Sequence, residues 1–208
     1  MSDAQLTREV ARRVFASEFN DATYTFKESD DERAPNYALL PTGDRANRVF
    51  VAGTLTETDD VGEESEYWRG RVVDPTGTFY VYAGQYQPEA AAVLRDTEPP
   101  AYVVVVGKPR TYEPEEGTIN VSLRPESISL VDEATRDRWV VETAERTLDR
   151  IAAVQEWEAE REAPESGSTV PGNEYAQMAH ERYDSPVENY RRDVIKALES
   201  LEEAEATA

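Results

Sequence analysis

Between residues 48 and 132 the chain carries five segments patterned for extended structure, and a single helix-forming stretch interrupts them between the third and the fourth. That order leaves few folds open. RVFVAGTLTET (48–58) is β-branched and alternating, and YWRGRVVD (67–74) and TFYVYAG (78–84) flank the turn DPTG. Pro75 pre-sets the first corner of that turn and Gly77 tolerates a positive φ, so the second and third segments are expected to form a hairpin. QPEAAAVLRDT (87–97), with Pro88 near its start, reads as a short helix. AYVVVVGKPRTYE (101–113) and TINVSLRPESISLVD (118–132) are the last two strands. Gly53 and Gly70, inside otherwise regular strands, fit the sharp bends that close a small barrel. Three strands, a helix and two strands is the layout of an OB-fold, so residues 49–132 are expected to form a five-stranded OB barrel in a mainly β chain with added helices.

The flanks read differently. Ser2 and Gln5 form a capping pair, and Leu6, Val10, Val14 and Phe15 fall near one face, predicting an N-terminal helix over 3–19. The rest of residues 1–48 is a charged loop, KESDDERAP, and an extended arm, NYALLPTG, ending in a turn. After the barrel, Trp139, Val140, Ala144, Leu148, Ile151, Val154 and Trp157 mark one long amphipathic helix over 133–163. PESGSTVPG (164–172) has the composition of a linker. In the helical tail, 173–208, Ser185, Pro186 and Glu188 read as a capping box that starts a final helix striped by Val187, Tyr190, Val194, Leu198 and Leu201.

Composition narrows the chemistry. The chain has no cysteine and one histidine, His180, which excludes disulfides, thiolate metal sites and cysteine nucleophiles and speaks against a zinc centre or a histidine triad. Asp59, Asp60, Glu63 and Glu64 read as a solvated acidic loop, and GKPR at 107 lacks the glycine spacing of a phosphate-cradling loop. The expectation is a protein that is not an enzyme and needs no cofactor or metal. No apolar run approaches a membrane span, and the N-terminal residues are charged where a signal peptide is apolar, so a soluble, cytoplasmic protein is expected. A formal net charge of -21, with only Lys27, Lys108 and Lys196 as lysines among 22 basic residues, resembles the proteins of organisms living in molar salt.

Against that acidity, residues 67–112 form the one block that is not net negative. Following the pleat, Phe79, Val81 and Ala83 point one way and Tyr80 and Tyr82 the other, while Trp68, Gly70 and Val72 oppose Arg69 and Arg71. The apolar sets belong inside. Two arginines and two tyrosines then share an outer face, which Lys108, Arg110 and Tyr112 flank from the fourth strand. Rings and guanidinium groups are what a single nucleic-acid strand needs, because each base offers a π-face and each phosphate a charge. The same residues also suit a protein contact on a half-buried sheet.

APNYALLPTG, NRVFVAGTLTE, WRGRVVDPTGTFYVYAGQYQP and VVVVGKP are similar to segments of the haloarchaeal replication protein A-associated family, over about residues 1–132 and more loosely over the tail. The resemblance implies an OB-fold accessory subunit that binds single-stranded DNA in replication and repair, within a hetero-oligomer containing a larger replication protein A-like subunit. It implies that Trp68, Arg69, Arg71, Phe79, Tyr80 and Tyr82 belong to the binding face or its supporting core, and that the helix after the barrel joins subunits through Trp139, Val140, Ala144, Leu148, Ile151 and Val154. Three alternatives stay open: an assembly subunit whose barrel face and helices bind partner proteins without touching DNA, an enzyme accessory or anticodon-reading module that prefers structured RNA, and a helix stripe covered by the chain's own barrel or tail.

Overall fold

The computed structural model describes residues 9–32, 34–114, 117–162, 173–183 and 186–207. Its centre is a closed, five-stranded mixed barrel built from β5 (Val49–Asp60), β6 (Trp68–Asp74), β7 (Gly77–Ala83), β9 (Asn120–Leu130) and β8 (Ala101–Tyr112), in that spatial order. β5 closes the ring by pairing β8 through Val49–Leu55 and β6 through Thr54–Asp60. Gly53 sits where β5 leaves one partner for the other, and a Cβ there would stand 2.5 Å from the Val73 carbonyl oxygen. The helix α2 (Pro88–Asp96) falls between β7 and β8 and drives Leu94 against Gly70, where a Cβ would come within 2.7 Å of it. Strand order and helix position together define an OB-fold. Alternate residues of every barrel strand, among them Val51, Leu55, Val72, Phe79, Val81, Val103, Val105 and Leu123, form one core.

Residues 1–8, and with them the capping pair, lie outside the described residues. The rest of the helix expected over 3–19 is shorter than its apolar spacing predicts. Arg12–Arg13 form a short strand, β1, parallel to Val49–Phe50, and only Ala16–Asp21 are helical, as α1. Side-chain and backbone partners decide this: the Arg12 amide donates to the Arg48 carbonyl at 2.8 Å, and the Arg48 guanidinium donates to the Glu9 carbonyl at 2.8 Å, which holds the segment extended. The helix begins where Asp74 accepts the Ala16 amide at 2.8 Å. Val14 and Phe19 then enter the barrel core, Phe19 meeting Phe79 at 5.4 Å between ring centroids.

Asp74 also governs the β6–β7 turn. Its other carboxylate oxygen accepts the Thr76 amide, the Thr76 hydroxyl and the Gly77 amide at 2.7, 2.8 and 2.9 Å. Gly77 does not use a positive φ. What the glycine permits is the approach of α1, since a Cβ there would meet the Ala16 methyl at 3.4 Å. The arm forms a separate three-stranded sheet, β2 (Thr25–Lys27), β3 (Asn36–Leu40) and β4 (Asp44–Ala46), that the sequence does not announce. Tyr37, Ala38, Leu39 and Leu40 are all buried, so β3 lacks the alternation that signals a strand.

The long helix, α3 (Glu133–Glu162), lies on the outer face of β5 and β8. Trp139 packs on Phe50 at 5.0 Å, with the Arg13 guanidinium 4.2 Å from the Trp139 ring centroid and 4.6 Å from that of Phe50. Inward of this, Arg150 donates to Glu18 Oε2 at 2.5 Å and to the Thr42 hydroxyl at 2.8 Å, pinning α3 to α1 and to the β3–β4 turn. α4 (Glu174–Arg182) and α5 (Val187–Thr207) complete the tail, α5 running along α3. The expected linker and Ser185 lie outside the described residues, while Pro186 directly precedes the first residue of α5. Among the described residues no helix is long and apolar enough to cross a membrane.

Candidate functional site

The register of the barrel arranges the outer face in two rows. β6 and β7 pair Arg69 with Tyr82 and Arg71 with Tyr80. The parallel bridge between Val81 and Leu123 then sets Tyr82 beside Arg124 and Tyr80 beside Ser122, because residues one position on from an inward-facing bridge both face outward. Across the next ladder Arg124 opposes Lys108 and Ser122 opposes Arg110. One row therefore reads Arg69, Tyr82, Arg124, Lys108; the other reads Arg71, Tyr80, Ser122, Arg110. All eight are exposed or half-buried, whereas Gly70, Val72, Phe79, Val81, Ala83 and Leu123 are buried beneath them.

Before the Val81–Leu123 bridge β7 and β9 part, opening a cleft of about 850 Å³. Tyr67, Arg69, Tyr80, Tyr82 and Tyr112 wall it. Tyr67 and Tyr82 lie nearly parallel, 5.7 Å between centroids, and Tyr80 and Tyr112 are 41% and 65% exposed. Thr78, Asn120 and Ser122 supply polar edges, and Asn20 of α1 reaches in, its side-chain amide donating to the Thr78 carbonyl at 2.9 Å. The cleft thus offers several ring faces and few fixed polar groups, an arrangement that takes flat groups in series without reading their edges.

Charge is distributed unevenly over this face. Arg69 donates to Asp59 at 2.7 Å and Arg71 to Glu57 at 3.2 Å, both acids standing opposite them on β5. The hydrogen bond it donates to Asp59 holds the Arg69 guanidinium above its ordinary pKa. These two arginines are neutralised before any ligand arrives. Lys108, Arg110 and Arg124 differ: among the described residues no acidic side chain lies within ion-pairing distance of any of them. Burial, and after it repulsion from Arg124, pulls the Arg110 guanidinium below its ordinary value. The unspent positive charge therefore lies on the β8–β9 side of the face.

Of the residues expected here from sequence, Arg69, Tyr80, Tyr82 and Tyr112 meet in the cleft; Arg71 stands at its edge, and Lys108 and Arg110 form its basic flank. Arg124 and Tyr67 were missed. Arg124 alternates outward between the inward Leu123 and Pro125, a pattern visible in sequence, but its place beside Tyr82 depends on the long-range β7–β9 bridge. Tyr67 precedes the second strand in the acidic loop, where Asp60 accepts the Tyr67 and Gly62 amides, each at 3.0 Å. Those two backbone hydrogen bonds pull the Asp60 carboxyl below its usual range, so this carboxylate serves the loop. Among the described residues no group of three His, Asp or Glu side chains is placed to hold a metal.

The helix stripe expected to meet a partner subunit is filled by the chain itself. Val140 and Ala144 pack with Phe15, Val194 and Ala197, so α5 covers them, and Val154 packs with Trp157 and Ala176 of α4. Ile151 is fully buried and Trp139 lies on Phe50. Leu148 alone of the stripe stays open, 38% exposed. The reason lies in the tail: Tyr190, Val194 and Ala197 give α5 a matching apolar face on the same chain.

The closed barrel with its inserted helix makes this an OB-fold protein. No protein-family model and no curated protein matches its sequence. Among solved structures it is similar to an OBody bound to hen egg-white lysozyme (20% identity, TM-score 0.33, over 41% of this chain and 94% of that one). It is also similar to the mitochondrial single-stranded DNA-binding protein Rim1 of S. cerevisiae (18%, TM-score 0.33, 41% and 92%). A third likeness is to asparaginyl-tRNA synthetase from Pyrococcus horikoshii (16%, TM-score 0.32, 53% and 31%).

Proposed function

We propose that the protein binds single-stranded DNA through the β6–β7–β9–β8 face of its barrel, as a non-enzymatic accessory subunit. One observation carries the reading. In a chain of net charge -21, tyrosine rings line an open cleft and the three cations beside them have no acidic partner among the described residues. Bases stack on Tyr80, Tyr82, Tyr67 and Tyr112, while Lys108, Arg110 and Arg124 meet phosphates. Arg69 and Arg71, held by β5, keep their guanidinium groups beside the rings. Membership of a replication protein A-like hetero-oligomer, in the cytoplasm of a salt-loving archaeon, rests on the sequence resemblance and the arginine-rich, lysine-poor acidity.

The test is binding of a fluorescent oligothymidylate to the purified chain in about 2 M KCl, where ionic contacts are weakened and stacking persists. Replacing Tyr80 and Tyr82 together by alanine removes two stacking platforms worth about 1–3 kcal/mol each, so affinity is expected to fall at least about thirtyfold with the fold unchanged. If the folded wild-type chain does not bind, the DNA reading fails and the same face is a protein-binding surface. The Tyr80→Ala, Tyr82→Ala variant would then weaken assembly with the partner subunit instead.

A further inference from the structure

We infer that the bound strand continues past Arg124 to a second subsite at the β7–α2 connection, where the ring of Tyr86 takes one further base. The inference rests on the single-stranded DNA reading above and extends it in a direction that nothing in the main cleft requires. Tyr86 is 83% exposed, which on its own is unremarkable for a tyrosine. Its setting gives it a use. Tyr86 and Arg124 both line a hollow of about 340 Å³. Arg124 in turn stands beside Tyr82 on the outer face, so one guanidinium with no acidic partner among the described residues adjoins both the main cleft and this hollow.

Charge selects this route. A second hollow leads from Tyr67 to Tyr86 across the loop before β6, and Glu63, Glu64 and Glu66 line it. Among the described residues only Glu66 of these has a cation near, Arg95 at 3.6 Å, so a phosphate crossing there meets carboxylates that no described cation offsets. On the Arg124 side Glu126 is spent on a two-point ion pair with Arg48. Glu89 also lines that hollow, but in the first turn of α2, where the helix end offsets part of its charge. A strand whose phosphate sits at Arg124 can place one base on Tyr82 and the next on Tyr86, with its backbone turned away from the acidic loop.

The experiment compares wild type with Tyr86→Ala on oligothymidylates of about four and about twelve nucleotides, bracketing what one OB barrel covers. Because Tyr86 is solvent-exposed, the substitution is expected to leave the melting temperature unchanged. The expected result is equal binding of the short oligomer and about fivefold or greater loss on the long one, one stacking platform being removed. A Tyr86→Trp variant is expected to show fluorescence quenching by the long oligomer only. Unchanged affinity of Tyr86→Ala at both lengths, or equal losses at both, overturns the second subsite while wild-type binding keeps the main cleft. No binding of either oligomer by folded wild type overturns the DNA reading on which the inference stands.

Discussion

The pairing of Arg69 and Arg71 with β5 predicts how binding responds to salt. For a single strand the logarithm of the affinity falls with the logarithm of salt concentration by about 0.7 per phosphate neutralised. Among the described residues five cations face the groove, and if all five met phosphates the slope would be about -3.5. Two of them already hold carboxylates at 2.7 and 3.2 Å. A phosphate that displaces Asp59 or Glu57 frees a counterion from DNA but leaves an acid that recruits one, so those exchanges cancel. Three cations remain, giving a slope of about -2.1 and roughly a twentyfold loss between about 0.5 and 2 M KCl. Fluorescence anisotropy across that range measures it directly. Arg110→Gln or Arg124→Gln should each flatten the slope by about 0.7, and Arg69→Gln should leave it where it is. A wild-type slope near -3.5, or a flattening by Arg69→Gln equal to that of Arg124→Gln, would refute the division between spent and free cations.

Two further outcomes follow from buried charges. Glu18 and Arg150 side chains are 1% and 10% exposed, so Arg150→Met leaves a carboxylate without its cation and is expected to cost about 3–5 kcal/mol, whereas Glu18→Leu with Arg150→Met should recover much of it; thermal unfolding of the three variants decides. Burial pushes the Asp74 carboxyl up to about 6 despite the amides that favour its ionised form. The folded chain then binds a proton that the unfolded chain has released, so the contribution of Asp74 is greatest below about pH 4 and is lost as pH rises through about 6. Carboxyl carbon resonances followed by NMR should show one aspartate titrating near 6 that is absent from Asp74→Asn; a midpoint below about 4 would contradict the burial argument.

The barrel was legible because each of its signals is local. Alternation in TFYVYAG, the DPTG turn and glycines inside strands need only neighbours in sequence, and they yield five strands, the helix between them and the outward parity of Tyr80 and Tyr82. What stayed hidden depends on distant partners. Val14 and Phe15 sit at helical spacing with Val10, but Arg48 and Asp74 decide that the chain is extended until Ala16. The sequence left open whether a partner or the chain's own barrel or tail covers Val140, Ala144 and Val154, and α4 and α5, beyond the linker, supply the cover. Arg124 joins the site through one bridge, that of its neighbour Leu123 to Val81, some forty positions earlier in the chain. The two cations most visible in sequence, Arg69 and Arg71, proved to be the two already paired, because β5 ends in Glu57 and Asp59 directly opposite.

An acidic chain proposed to bind a polyanion raises a question of range, and screening answers it. At about 1 M salt the Debye length is about 3 Å, so a phosphate in the groove feels Arg124 and Lys108 and little of the remaining negative surface. At about 0.01 M it is about 30 Å, comparable to the whole domain, and the net charge of -21 repels DNA and strains the fold together. The log–log plot of affinity against salt is therefore expected to be straight only at the high end and to bend over as salt falls. Circular dichroism on the same samples separates the two causes. If the bend coincides with lost helix and strand signal, self-repulsion opens the chain; if the spectrum holds while affinity levels off, long-range repulsion of the strand is responsible. A line that stays straight down to about 0.05 M, with the fold intact, would show that the acidic surface plays no part in binding.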